Sequence, residues 1–285
     1  MHNMRTNDLI IKNVQINLEN TFESGQCFRW IRISSNEYEG VCRGKAVQIS
    51  LIGNELYIKL LAQRLTEVDE VFFRNYFAVN LGYEEILRGL CLKSEILKKA
   101  VNFAPNICIL QQDPWETLCS FIISQNNNIK RIRYIIEKLC FFFGQRITDY
   151  HFSFPTPKVL STKTVKELEL IRSGFRAKYI IDAAKKVTSG EVNLDSLKTM
   201  STDLARKELM KIKGVGEKVA DCTLLYGYNR LNVVPKDVWI KRAIKSLFPD
   251  IEDLTEIFGE YAGIAQLYIF NYVRKNPWDL NVARI

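Results

Sequence analysis

Lys218 is the side chain best placed to act as a nucleophile, and Asp237 the carboxylate best placed to serve it. Both lie in one stretch, Met210 to Leu247, reading MKIKGVGEKVADCTLLYGYNRLNVVPKDVWIKRAIKSL. Its pattern predicts a short amphipathic helix, a tight turn at Gly214 and Gly216, and a second helix with Lys218 in its first turn. A third helix is opened by Asp237 after Val233-Val234-Pro235-Lys236. Glycines two apart allow φ > 0 and leave no Cβ between backbone and ligand. The N–H groups of Gly216, Glu217 and Lys218 begin a helix without intrahelical acceptors, so they point at an approaching anion. Lys211, Lys213 and Lys218 around the turn favour phosphate, gripped through backbone and so without regard to base sequence. A purely structural helix-turn-helix is the alternative.

A lysine attacks only as the free amine. A helix N-terminus opposes the ammonium by about 0.3–1 kcal/mol, which is insufficient alone. Burial beside Val219, Leu224 and Leu225, with other cations nearby, has to contribute the rest. Asp237 is also of the type that caps helices, and a capping carboxylate can still turn one oxygen to a cationic centre. Cys222, four residues beyond Lys218, shares its helical face; it is either a sulfur packed on a flat base or a core cysteine. Amine, carboxylate and phosphate nest together point to chemistry on nucleic acid.

The rest of the chain must position these groups. Its 285 residues, 47% hydrophobic and 25% charged, suffice for a filled core and two or three subdomains. A formal charge of +8 and a pI near 9.0 favour a polyanionic partner. The seven cysteines (27, 42, 91, 108, 119, 140 and 222) form no CxxC pair, which predicts reduced thiols rather than disulfides or a zinc site. With only His2 and His151, a histidine-based metal or triad mechanism is excluded. The opening MHNMRTNDLIIKN has no long apolar core of a signal peptide, and no run approaches the ~18 apolar residues of a membrane span. A cytoplasmic protein without a membrane segment is expected, nucleoid-associated if bacterial.

Residues 1 to about 62 read as strands. Cys27–Ile33, Lys45–Leu51 and Glu55–Leu60 alternate, Gly53-Asn54 closes the last two as a hairpin, and Glu23-Ser24-Gly25-Gln26 is a turn. From Thr66 the period becomes helical, with Phe103–Asp113 as a linker. Pro114–Gly144 reads as two buried helices joined by Gln125-Asn126-Asn127-Asn128, which suits either a plain turn or a set of amides facing base edges. Further on, Thr164–Ile171 is a short helix, Arg172–Arg176 a turn with Gly174 as C-cap, and Tyr179–Ser189 a helix. Phe175 beside Arg176 at a turn tip is either tucked into a neighbour or a wedge for stacked bases. In the final helix, about Tyr261 to Lys275, Gln266 and Phe270 fall on one face.

The run Gly214–Cys222, together with Val234-Pro235-Lys236-Asp237-Val238, resembles the helix-hairpin-helix, Gly/Pro-Asp DNA glycosylase superfamily. Ser24-Gly25-Gln26-Cys27-Phe28-Arg29-Trp30, Gln125–Ile129, Gly174-Phe175-Arg176-Ala177, and Gln266 with Phe270 resemble, in order, the 8-oxoguanine DNA glycosylases within it. The resemblance implies an α+β fold: an N-terminal antiparallel β-sheet subdomain (1–105), then a mainly α-helical helix-hairpin-helix glycosylase domain (106–285). It implies a bifunctional glycosylase and AP lyase acting as a monomer on duplex DNA containing 8-oxoguanine, without a cofactor. Lys218 would attack C1′ and form a Schiff base, Asp237 would stabilise positive charge at the sugar, and β-elimination would cut the strand. The Gly25 carbonyl would accept the N7–H that guanine lacks, Cys222 and Phe270 would sandwich the flipped base, and Gln266 would read its Watson–Crick edge. Asn126 would fill the vacated space, Arg131 and Arg176 would meet the orphaned cytosine, and Phe175 would wedge the duplex. Gly214, Gly216 and Val238 would hold the DNA backbone. The carbonyls of Met210, Ile212 and Val215 would bind at most a structural ion; no catalytic metal is expected. Two positions depart from the family: Phe175 stands where many members have Tyr, and Trp239 where eukaryotic members have His.

Rival readings remain within and outside the superfamily. Endonuclease III-like and adenine-specific members carry four cysteines after the catalytic Asp, whereas this chain has none beyond Cys222. Alkylation-specific members generally lack the Lys. A non-catalytic helix-hairpin-helix module would need neither Lys218 nor Asp237.

Overall fold

The computed structural model describes residues 8–280; residues 1–7 and 281–285, with His2, the start of the leader reading and both outer ends of the expected domains, lie outside the described residues. The N-terminal part comprises β1 (Asp8–Ile11), α1 (Leu18–Phe22), β2 (Trp30–Ser34), β3 (Glu37–Cys42), β4 (Lys45–Ile52) and β5 (Glu55–Leu60). The strands form an antiparallel five-stranded sheet in the order β1-β5-β4-β3-β2. Alternation explains the register: Leu56, Ile58 and Leu60 face the core, and Ile58 pairs with Ile49. Ile52 pairs with Glu55, so Gly53-Asn54 is the two-residue hairpin turn that was expected.

Two expectations for this half need correction. The region is not all strand, because Asn17 caps α1 by accepting the Asn20 N–H at 2.8 Å and Leu18 and Phe22 are buried. The strand expected from Cys27 begins only at Trp30. Upstream, the chain is held by the buried Gln26 amide, which donates to the Cys108 carbonyl (2.8 Å) and accepts the Leu110 N–H (2.8 Å). Those bonds replace ladder pairing.

The helical part adds α2 (Glu67–Tyr76), α3 (Tyr83–Lys93), α4 (Glu95–Phe103), α5 (Pro114–Ser124), α6 (Ile129–Phe143) and α7 (Pro157–Ser161). It continues with α8 (Ala177–Ser189), α9 (Thr202–Leu209), α10 (Glu217–Tyr228), α11 (Val238–Leu247), α12 (Thr255–Phe258) and α13 (Ala262–Lys275). Helices α5, α10 and α13 bury residues around most of their circumference, as central helices must. Phe121 of α5 stacks on Tyr226 of α10 with centroids 5.6 Å apart. Glu167–Ile171 is a 3₁₀ turn, and the left-handed residue ending it is Arg172 (φ 54°), not the Gly174 expected as C-cap. Gly174 instead starts a second 3₁₀ turn, Gly174–Arg176.

The expected linker after α4 is a buried strap between two cores. Ile107 and Ile109 pack into the helical cluster while Cys108 and Leu110 pack into the sheet cluster. An extended segment presents alternate side chains to opposite faces, so these residues serve both halves. Among the described residues no helix is long and apolar enough to cross a membrane.

Candidate active site

The hairpin between α9 and α10 is shaped by one glycine and three clamps. Gly214 has φ +81°, and a Cβ there would stand 2.4 Å from the Tyr179 ring of α8. Gly216 differs from expectation: its φ of −101° is open to any residue, and it serves as N-cap of α10 with no side chain crowding it. Asp182 of α8 accepts the Lys213 N–H at 2.7 Å, Lys186 donates to the Lys211 carbonyl, and Arg206 of α9 pairs with Asp221 of α10 at 2.6 Å. Among the described residues the N–H groups of Gly216, Glu217 and Lys218 meet no acceptor, so the turn offers a nest of donors to an anion. Of the carbonyls suited to a structural ion, Ile212 already accepts the Val215 N–H at 3.0 Å. Those of Met210 and Val215 accept none among the described residues and fit an oxygen-seeking cation.

Lys218 projects from the first turn of α10 into a cavity of about 770 Å³. Its Nζ lies 4.9 Å from the centre of the Phe121 ring and donates to Ser124 Oγ at 3.2 Å. The Ser124 hydroxyl in turn donates to the Phe121 carbonyl, leaving a lone pair for the amine. Cys222 is buried one turn below, and burial pushes its thiol up to about 12 against the opposing charge of Lys218. A thiol so held stays protonated at neutral pH, which leaves it packing rather than nucleophilic chemistry. Asp237 caps α11, with Oδ1 accepting the Ile240 N–H at 2.9 Å. Burial raises its carboxyl above the usual range, opposed first by that N–H and then by Lys218. Cap and charged group are therefore one residue.

The same cavity is lined by Gly25, Asn126, Val238, Gln266 and Phe270, joining the two ends of the chain. Gly25 has φ +90°, and a Cβ on it would stand 3.2 Å from Phe270 Cε1. Its turn is no plain loop. Ser24 Oγ donates to the Thr21 carbonyl at 2.8 Å, Gln26 staples it to the strap, and Gln112 Nε2 donates to the Gln26 carbonyl at 2.7 Å. Among the described residues no donor reaches the Gly25 carbonyl. Gln266 is 4% exposed, and its Oε1 has no partner among them. An unmet acceptor buried in a cavity wall is costly.

At the cavity rim, the asparagine run divides its work. Asn128 caps α6 by accepting the Arg131 N–H (2.9 Å), and Asn127 donates to the Ile123 carbonyl (3.1 Å). Asn126 is exposed and left-handed at φ 47°. Arg131 is exposed nearby, Phe175 is 47% exposed, and the Arg176 guanidinium lies 4.4 Å from the Phe175 ring centre. Arg176 itself is 4% exposed and donates to the Asn126 carbonyl at 2.8 Å, to Gln125 and to Ser173. Here its guanidinium braces the Asn126 turn; burial and the neighbouring Arg131 depress its basicity. Of the expected DNA contacts, Asn126 and Val238 (56% exposed) line the cavity, while Arg131, Phe175, Arg176, Gly214 and Gly216 lie beyond its lining.

Phe121, Ser124 and Arg274 are among the cavity residues that the sequence pattern does not single out. Phe121 and Ser124 lie on the hydrophobic helix preceding the asparagines, and their i, i+3 spacing was the available signal. Arg274 lies one turn beyond Phe270, on the face that already carried Gln266 and Phe270.

Two family models match the chain. One, described as 8-oxoguanine DNA glycosylase, N-terminal domain, covers residues 8–118; the other, HhH-GPD superfamily base excision DNA repair protein, covers residues 119–257. The chain is 33% identical over 272 residues to the N-glycosylase/DNA lyase of Saccharomyces cerevisiae, covering 83% of this chain and 69% of that protein. It is also similar to the solved structure of MBOgg1 in complex with a low affinity DNA ligand (TM-score 0.89, 41% identity, 96% of this chain and 97% of that one). The 8-oxoguanine glycosylase/lyase of Clostridium acetobutylicum, in complex with dsDNA containing cytosine opposite 8-oxoG, matches with TM-score 0.87 and 35% identity over 96% of this chain and 97% of that one.

Proposed function

The chain belongs to the 8-oxoguanine DNA glycosylases of the helix-hairpin-helix Gly/Pro-Asp superfamily, and from that premise we infer the part each residue plays in its chemistry. It is a bifunctional DNA repair enzyme that excises 8-oxoguanine from duplex DNA and cleaves the strand at the resulting site. The target nucleoside leaves the stack, because neither C1′ nor the base edges are accessible within it. Lys218 Nζ attacks C1′, the N-glycosidic bond breaks, and its electron pair departs with the base. Asp237 stabilises the positive charge that develops at the sugar. Opening of the sugar ring gives the Schiff base, loss of a C2′ proton follows, and β-elimination expels the 3′ phosphate.

Recognition uses the other end of the cavity. The Gly25 carbonyl accepts N7–H of 8-oxoguanine; guanine would present a lone pair there, an unpaired buried contact costing about 1–3 kcal/mol. Phe270 and Cys222 sandwich the base, and the Gln266 amide pairs with its Watson–Crick edge. Asn126 fills the gap in the duplex beside the Phe175 wedge, Arg131 and Arg176 serve the opposite cytosine, and the Gly214–Gly216 nest with Val238 holds the backbone. The protein acts as a monomer in the cytoplasm.

The observation that carries this reading is the enclosure of Lys218, Asp237, Gly25, Gln266 and Phe270 around one cavity of about 770 Å³. Borohydride reduction tests it: an 8-oxoguanine duplex must yield a covalent protein–DNA adduct that Lys218→Gln abolishes. Wild-type protein that binds the duplex without forming an adduct would overturn it.

A further inference from the structure

We propose that Arg274 is a positioning residue for base recognition, holding the Gly25 turn and the Phe270 ring in one fixed geometry. The inference rests on the reading of the Gly25 carbonyl as the contact to N7–H. Helix α1 ends at Glu23, and the Glu23 carbonyl accepts a hydrogen bond from Arg274 Nη2 at 2.8 Å. The same guanidinium lies 5.3 Å from the centre of the Phe270 ring. Its Nη1 stands 3.7 Å from where a Cβ on Gly25 would be. One planar group thus touches the glycine wall and the aromatic wall of the base slot together.

Helix geometry explains why α13 can do this. Phe270 and Arg274 are one turn apart, so both side chains lie on the face that Gln266 presents to the cavity. Arg133 of α6 grips the same turn from outside, donating to the Phe22 carbonyl at 3.1 Å and pairing with the Glu23 carboxylate at 3.0 Å. Arg133 does not line the cavity, whereas Arg274 does. The first arginine therefore anchors the turn to the protein, and the second sets its distance from Phe270. A guanidinium suits both tasks, since its rigid fork donates along one edge while its delocalised charge stays near the ring. A lysine in its place keeps three donors and the charge but not the fixed planar fork.

Lys218 and Asp237 come from α10 and α11, and neither is hydrogen-bonded to Arg274; the Asp237 carboxyl does feel the guanidinium's charge, which lysine at position 274 would keep and alanine would remove. Cleavage of a sugar that has already lost its base needs the amine and the duplex grip but not the base slot. The test compares full-length wild type, Arg274→Ala and Arg274→Lys under single-turnover, saturating conditions. The substrates are an 8-oxoguanine:cytosine duplex and the same duplex with a preformed abasic site. Excision should slow by about 10- to 100-fold in Arg274→Ala, with Arg274→Lys closer to Ala than to wild type. Cleavage at the abasic site should stay within about 3-fold in Arg274→Lys, which keeps the charge beside Asp237. Parallel loss on both substrates in Arg274→Lys, or excision at the wild-type rate in both variants, would overturn the proposal. Arg274→Lys keeps the charge and stem, so the comparison stands even if the alanine variant folds poorly. Wild type that cleaves the abasic duplex but leaves 8-oxoguanine in place would instead remove the underlying Gly25 reading, and this proposal with it.

Discussion

Replacing Gln266 by leucine separates recognition from stability more sharply than any other single change in this cavity. Gln266 is 4% exposed on α13, and its Oε1 meets no donor among the described residues. An acceptor in that position forgoes hydration without recovering a hydrogen bond, a penalty of about 1–3 kcal/mol. Leucine has similar volume, a comparable or better helix propensity and no polar atom to strand. The variant should therefore be more stable than wild type, by about 1 kcal/mol or more, which raises Tm by roughly 2–4 °C per kcal/mol in a chain of this size. Excision should move the other way. Without an amide to pair with the Watson–Crick edge, the flipped base leaves its own polar groups unmet, slowing excision by about 10- to 100-fold. Thermal unfolding without DNA and single-turnover excision, with abasic-site cleavage as control, measure the two effects. A lower Tm would mean that the Gln266 amide is a satisfied structural element, and the argument for a base-reading role would fail. Unchanged excision at a raised Tm would refute it equally.

The remaining predictions concern the same cavity and its rim. Gly25→Ala places a methyl 3.2 Å from Phe270 Cε1 at a φ of +90°; strain of about 1–3 kcal/mol should displace the carbonyl and slow excision by about 5- to 150-fold, and wild-type discrimination against guanine in this variant would refute the carbonyl role. Asp237→Asn keeps the helix cap but removes the charge, so most excision activity should be lost. Because burial raises the Asp237 carboxyl in the folded state, wild-type excision should fade on the acid side beginning above the usual carboxylate range. The same raised value means that the folded state holds this proton more tightly than the unfolded state. The stabilisation is complete below the unfolded value of about 3.9 and is lost as pH rises through the folded value. The Tm of Asp237→Asn relative to wild type should accordingly rise from pH 4 towards pH 7, and a flat difference would contradict the burial argument. Arg131→Ala, on an exposed side chain, should reduce any preference for cytosine over the other opposite bases; equal wild-type rates opposite all four bases would sink that assignment.

Much of the catalytic half was legible in the sequence because local rules govern it. The aspartate capping α11 follows from a helix start, where unmet N–H groups favour carboxylates, and the lysine in the first turn of α10 stands out because the same groups oppose its charge. Gln266 and Phe270 on one face of α13 follow from the helical period alone. Errors arose where a local rule met a distant partner. Gln26 looks like loop, yet its amide bonds Cys108 and Leu110, more than 80 residues away, and this delays β2 to Trp30. The segment after α4 carries a proline and reads as a linker, but two cores claim its alternate residues. The hold of Arg176 on the turn around Asn126 was equally invisible, because the carbonyl it meets lies 50 residues away in sequence.

What the sequence determined by itself was the chemistry available: an amine at a helix start, a carboxylate at the next and a nest of backbone donors between α9 and α10. Which base that chemistry serves was decided by tertiary structure. The Gly25 turn and the Gln266–Phe270 face lie at opposite ends of the chain, and no local term couples them. They meet because the buried strap, the Gln26 staple and the arginines on Glu23 draw the sheet against α13, leaving a carbonyl, an amide oxygen and a ring around the space that Lys218 enters.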